Sequence, residues 1–112
     1  MSIPDSSIDP VLARMAELLG TPVASELDVL ELVRRGLTPA MWASVQSQCP
    51  LPRDLFVAGD AVRLTVALGR RFTPPQTDLI LRGVRLVAQA WAALGSLQAA
   101  RHWLDARQDL LP

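Results

Sequence analysis

Apolar residues recur along most of the chain at spacings of three and four, which is the period of an α-helix with one buried face. The clearest case is the 4-3-4-3 series formed by Ile80, Val84, Val87, Trp91 and Leu94. No segment shows the strict alternation of apolar and polar residues that marks a half-buried strand. The pattern predicts an all-α protein.

Helix boundaries are marked by capping residues followed by proline and by glycines at the expected ends. Thr73 and Gln76, for example, form a capping box ahead of the 4-3-4-3 series. A second pair, Ser25 and Asp28, would shorten the second helix if it acted as a cap. The sequence predicts about seven helices, at roughly 10–19, 22–35, 39–48, 52–58, 60–68 (opening on Asp60), 74–94 and 97–107.

Each predicted helix carries an apolar face. For the second helix we expect Val23, Leu27, Leu30 and Val33 to form the buried stripe. The 4-3-4-3 series of the long helix has two interpretations: it forms part of the protein core, or it packs against a helix of a partner. Both can hold if opposite flanks of the helix make the two contacts.

Length and composition favour one small helical bundle. The 112 residues are 50% hydrophobic and 20% charged, with 11 Lys+Arg against 11 Asp+Glu, which excludes a disordered chain. Residues 1–36 hold six acids and three arginines (net −3), and residues 37–112 hold eight arginines and five acids (net +3). No apolar run reaches membrane-spanning length. The N-terminal segment has no basic residue, so we do not expect a secretory signal. We expect a cytoplasmic protein that does not enter a membrane.

Residues suited to catalysis are scarce. The chain has one histidine, His102, and one cysteine, Cys49, and lacks phosphate-binding and nucleophile motifs. We expect Cys49 to be a small buried apolar residue. The sequence therefore predicts a binding protein, with no enzymatic activity, no cofactor and no metal. Tryptophan is enriched at interfaces, and Trp42 and Trp103 are the candidates for such a contact.

The predicted helices over 39–68 have the size of a helix-turn-helix unit. The helix that would enter DNA offers Arg63 and Thr65, with Arg70 and Arg71 just beyond for phosphate contacts. Two phosphate contacts give only weak affinity for DNA. The competing interpretation is that the helix-turn-helix unit is a scaffold used for packing and does not read DNA.

Residues 27–111 resemble the bacterial Xre/MbcA/ParS antitoxin family. Three segments carry the resemblance: ELVRRGLT at 31–38, RFTPPQTDLILR at 71–82, and AWAALGSLQAARHWL at 90–104. The resemblance implies an N-terminal region with a degenerate Xre-like helix-turn-helix (1–70) and C-terminal toxin-binding helices (71–112) within one compact domain.

The resemblance implies that the chain is an antitoxin. Such proteins form homodimers, bind a RES-domain toxin that consumes NAD+, and often bind operator DNA. The candidate toxin-binding residues are Arg82, Arg85, Arg101, Trp103, Leu104 and Leu111. The family's Gly-Gly and later Pro-Leu positions have no counterpart within these residues. Two alternatives stay open: a helix-turn-helix repressor, and a helical adaptor without a toxin.

Overall fold

The structure, a computed structural model, describes residues 9–49 and 59–108, leaving aside the side chains of 59–61, 107 and 108. Its helices are α1 (Pro10–Leu19), α2 (Glu26–Arg35), α3 (Pro39–Gln48), α4 (Gly59–Ala67), α5 (Pro74–Leu94) and α6 (Leu97–Gln108). The described ranges contain no strand, which confirms the all-α prediction. The helix predicted at 52–58 lies outside the described residues, so the helix-turn-helix unit stays a prediction.

The predicted caps account for most helix starts. Asp9 Oδ1 accepts from the Val11 N–H at 2.8 Å, and Thr38 Oγ1 accepts from the Met41 N–H at 3.1 Å. The capping box at Thr73 forms in both directions, because Gln76 Oε1 also accepts from the Thr73 N–H at 2.9 Å. Pro10, Pro39 and Pro74 each occupy the first turn, where their missing donor costs no helical hydrogen bond.

One predicted start is wrong by four residues, from 22 to 26, and another differs by one, from 60 to 59. The second helix begins at Glu26 and not near Pro22, because Ser25 Oγ caps it by accepting from the Asp28 N–H at 3.3 Å. Asp28 in turn accepts from the Ala24 N–H at 2.9 Å, so the two side chains cap the start of the helix together. The fourth described helix begins at Gly59, so Asp60 lies within it and does not precede it.

The predicted stripe of the second helix is half right, because Val23 is buried just before α2 and Val33 packs against the core. Leu27 and Leu30 are 71% and 64% exposed, and the buried residue is Val29, with Leu32 and Val33 packed against the core from the side. The face of α2 that meets α5 therefore lies a third of a turn away from the stripe that apolar spacing favoured.

Helix α5 is the centre of the fold and packs against α1, α2 and α6, while α1 also packs against α3. Ile80, Val84 and Val87 are buried in this core as the 4-3-4-3 series predicts. Trp91 is half-buried, with the Arg14 guanidinium carbon 5.0 Å from the centre of its ring. Leu94, the last member of the series, is exposed, because it lies at the end of α5 where the chain turns into α6.

Loop contacts fasten α2 to the start of α5. The Leu37 N–H donates to the buried Thr77 hydroxyl at 3.0 Å, and the Phe72 N–H donates to the Leu37 carbonyl at 2.8 Å. Phe72 itself is buried, with its ring centre 5.7 Å from that of Trp42. Among the helices of the described ranges, none is long and apolar enough to cross a bilayer.

Candidate functional site

An apolar groove lies between α5 and α6, with a volume of about 340 Å³. Its walls combine leucine and tryptophan side chains with a floor of small residues. The lining residues are Leu86, Gln89, Ala90, Ala93, Leu94 and Trp103. Leu86 and Leu94 are 36% and 49% exposed, so the groove opens on the surface.

The groove forms because each of the two helices has one buried face and a neighbouring face that is exposed. On α5, the core residues leave Leu86 and Ala93, seven residues apart, on a neighbouring outward flank. Gly95 then adopts φ 87°, and Ser96 Oγ accepts from the Ala99 N–H at 3.1 Å, which turns the chain back into α6. The alanines of α5 are too short to fill the space beside α6.

The α6 wall is built by Trp103. Ala100 and Leu104 of α6 are buried against α5, which leaves Trp103 half-buried at the edge of the interface. Its indole packs partly on the core and partly along the groove. A large aromatic side chain anchored in this way resembles the residues that dominate binding energy at protein interfaces.

The chemistry of the groove is almost wholly apolar. Among the described residues that line it, Gln89 is the one polar side chain and none is titratable. Such a surface can bury apolar side chains of a partner and accept or donate one amide hydrogen bond. Within the described ranges, no cluster of three His, Cys, Asp or Glu residues could hold a metal ion.

The predicted toxin-binding residues that the structure describes are dispersed, and among them only Trp103 lines the groove. Leu104 is 4% exposed and belongs to the core, so it stabilises the fold and is not available to a partner in this conformation. Arg101 is exposed and lines a separate cleft of α6 with His102. Leu111 lies outside the described residues.

The two α5 arginines make ion pairs within the chain. Arg85 is bound to Glu26 of α2 at 2.7 Å, an interaction that ties these helices together. Arg82 is 3.0 Å from Asp78 one turn earlier on the same helix, and its side chain is largely exposed. Because Arg82 and Leu86 are four residues apart on α5, Arg82 lies one helical turn before Leu86 on the same side of the helix.

The predicted DNA-binding residues do not form one basic surface on α4. Arg63 is exposed and Thr65 is half-buried, but Leu64 and Val66 of the same helix are exposed as well. Arg71 donates through Nη1 to the Gly36 carbonyl at 3.0 Å, and Arg70 is exposed beside it. Arg71 therefore belongs to the α2–α5 junction, whereas the Arg70 N–H donates to the Thr65 carbonyl at 3.1 Å and closes the end of α4.

Cys49 is buried at the end of α3, as predicted. Burial raises the pKa of its thiol, with a smaller opposing effect from Arg101. A buried thiol of raised pKa is a poor nucleophile, so Cys49 contributes packing.

Sequence reasoning missed Leu86, Gln89, Ala90 and Ala93. The seven-residue spacing of Leu79, Leu86 and Ala93 was a usable signal, because it defines a second apolar flank beside the core stripe. No protein-family model matches the chain, and the comparison with curated proteins finds no significant match.

Proposed function

We propose that this chain is a non-enzymatic antitoxin that binds and neutralises a RES-domain, NAD+-consuming toxin through the groove between α5 and α6. The observation that carries the proposal is the position of the groove. It opens within the segment whose sequences at 71–82 and 90–104 resemble the toxin-binding part of Xre/MbcA/ParS antitoxins.

The groove suits an apolar side chain presented by a partner helix. Its floor of Ala90 and Ala93 leaves room that Leu86, Leu94 and Trp103 enclose from the sides. Helix-in-groove binding uses one or a few such anchors, and burying one large aliphatic side chain stabilises a complex by roughly 1.5–3 kcal/mol.

One charged side chain lies a helical turn away from the groove. Arg82, with a side chain 71% exposed, stands one turn from Leu86. An exposed charge beside an interface contributes mainly to the rate and orientation of association. The partner surface is therefore expected to carry an acidic residue beside its apolar anchor.

The same proposal includes a homodimer and a cytoplasmic location, where a toxin that consumes NAD+ finds its substrate. Operator binding through α4 has less support. A recognition helix that exposes Leu64 and Val66 offers few hydrogen-bonding groups to base edges.

Co-expression with the product of the neighbouring open reading frame tests the proposal. The critical variant is Ala93→Glu, and its matched control is Ala92→Glu, because both alanines are exposed and only Ala93 lines the groove. Wild type and Ala92→Glu are expected to restore host growth and to co-purify with the toxin. Ala93→Glu is expected to lose both properties, since docking would bury an unpaired carboxylate.

Two results would contradict the proposal. One is a neighbouring product that is harmless and does not co-purify with the wild-type chain. The other is equal rescue by Ala93→Glu and Ala92→Glu, which would show that the toxin does not use the groove.

A further inference from the structure

A second concave site lies beside α2 and shares no lining residue with the groove between α5 and α6. It is a surface cleft of about 370 Å³, which we call the junction cleft. Its walls come from the loop before α2, from α2, from the first turn of α3 and from the segment before α5. The lining residues are Thr21, Pro22, Asp28, Glu31, Leu32, Arg35, Met41 and Arg71. Because these segments are separate in the sequence, the cleft exists only in the folded chain.

Contacts within the fold hold the walls of the junction cleft in place. Leu32 and Met41 are half-buried and pack against the core, so they give the cleft an apolar wall. Arg71 donates through Nη1 to the Gly36 carbonyl at 3.0 Å, just after the end of α2. Asp28 accepts from the Ala24 N–H at 2.9 Å near the start of the same helix. A charged side chain at each end of the cleft is therefore anchored to the backbone.

The charges of the junction cleft are ordered along α2. Asp28, Glu31 and Arg35 are spaced by three and four residues, so they lie on one side of the helix. Asp28 and Arg35 are about 10 Å apart along the helix axis. Arg71 stands next to Arg35, because it bonds the carbonyl of the following residue, Gly36. The cleft therefore has an acidic end and a basic end.

Two carboxylates balance two guanidinium groups in this cleft, which suits a molecule that carries both charges better than a simple anion or cation. Hydrogen bonds from Arg34 lower the pKa of Glu31, so this carboxylate is ionised at neutral pH. The side chain of Arg35 is 70% exposed and lies 3.6 Å from Glu31, which is a loose ion pair. Exposed pairs of this kind contribute little to stability, so a ligand can replace one at little cost.

We propose that the junction cleft binds a short zwitterionic peptide, of two or three apolar residues with both ends free. The peptide carboxylate binds Arg35 and Arg71, since guanidinium groups bind carboxylates in bidentate geometry. The peptide ammonium group binds Asp28 and Glu31 at the other end, and the apolar side chains of the peptide lie against the apolar wall. Toxin binding uses the separate groove, so the inference does not depend on it.

The spacing of the charges decides the length of the ligand. An extended chain spans about 3.3–3.6 Å per residue, so two or three residues cover about 7–11 Å. This length matches the separation of the acidic and basic ends, whereas a single amino acid is too short to reach both. The volume of the cleft, about 370 Å³, is also within the range of sites that bind small molecules.

Titration of the ¹⁵N-labelled chain with the dipeptide Leu-Leu, followed by amide chemical shifts, tests this inference. We expect saturable shifts at Leu32 and Met41 and none at Ala93 of the groove, with a Kd on the order of 10⁻³ M because exposed ion pairs are weak. N-acetyl-Leu-Leu lacks the positive charge and Leu-Leu amide lacks the negative charge. Each is expected to bind at least about fivefold more weakly, and free leucine is expected to lose a similar factor.

A matched pair of variants on α2 tests the assignment to the cleft. Arg35→Gln removes a guanidinium group that lines the cleft, whereas Arg34→Gln removes its neighbour, which also contacts Glu31 but does not line the cleft. Arg35→Gln is expected to raise the Kd at least about fivefold, and Arg34→Gln to change it by less than about twofold. Asp28 and Arg71 are left unchanged because each binds a backbone group.

Thermal melts establish that both variants are folded. Equal weakening by the two variants would overturn the inference in favour of a general charge effect. Equal affinity of the free and capped dipeptides would also overturn it, because the apolar side chains alone would then explain binding. So would equal affinity of free leucine, the absence of saturable shifts in the wild-type chain, or shifts confined to the groove.

Discussion

Gly36 shows how one residue can be required by a contact that lies outside its own helix. Its φ of 88° is in the left-handed region that favours glycine, and a Cβ there would clash with the Phe72 carbonyl oxygen. Gly95 has nearly the same φ, 87°, but a Cβ there would meet nothing within 4 Å. The two positions also differ in ψ, 142° at Gly36 and −9° at Gly95, so both the backbone strain and the steric clash are greater at Gly36.

We therefore expect Gly36→Ala to lower the free energy of unfolding by about 3 kcal/mol or more, since strain and the clash add. Gly95→Ala is expected to cost about 1 kcal/mol, from strain alone. Urea denaturation of both variants measures the difference. Equal costs would mean that the loop carrying Phe72 moves away without penalty and that the junction is not rigid.

The helix ends at Gly36 and Gly95 were predictable from sequence because a local signal, glycine after a helical run, sets them. The clash at Gly36 could not be predicted from sequence, because residues 36 and 72 meet only through tertiary packing.

Neighbouring residues of helix α6 contribute to the core and to the groove. Leu104 is 4% exposed, whereas Trp103 is half-buried and lines the groove. One helix can do both because residues at successive positions point about 100° apart. Truncating each side chain should therefore affect different properties.

Leu104→Ala is expected to lower the free energy of unfolding by about 2–5 kcal/mol, because it leaves a cavity in the core. Trp103→Ala is expected to cost less stability but to weaken toxin binding by more than about 2 kcal/mol. Thermal melts and a binding titration on both variants compare the two. A greater loss of stability for Trp103→Ala, with binding intact, would assign Trp103 to the core.

Helix α2 illustrates where sequence patterns stop being sufficient. Leu27 and Leu30 have helical spacing and were expected inside, yet Val29 is the residue that α5 covers. A short helix rich in apolar residues offers more than one stripe, and the neighbour decides which one is buried. The salt bridge between Glu26 and Arg85 helps to fix that orientation, and local sequence does not reveal it.

At the scale of the whole molecule, α5 carries both the junction with α2 and the candidate site. The junction, where Arg71 bonds the Gly36 carbonyl, lies at its start, and the groove lies beside its second half. The all-α class, the long helix and the Trp103 region could be predicted because they depend on local periodicity and short motifs. The groove floor and the contacts of the α2–α5 junction could not, since each forms only when separate segments are packed together.

The central claim is that the groove between α5 and α6 binds a toxin and stops its reaction. The most direct measurement is NAD+ consumption by the purified RES-domain toxin as the chain is titrated in. Wild type and Ala92→Glu should abolish consumption in a saturable manner, and Ala93→Glu should not. Undiminished consumption in the presence of excess wild-type chain would contradict the account.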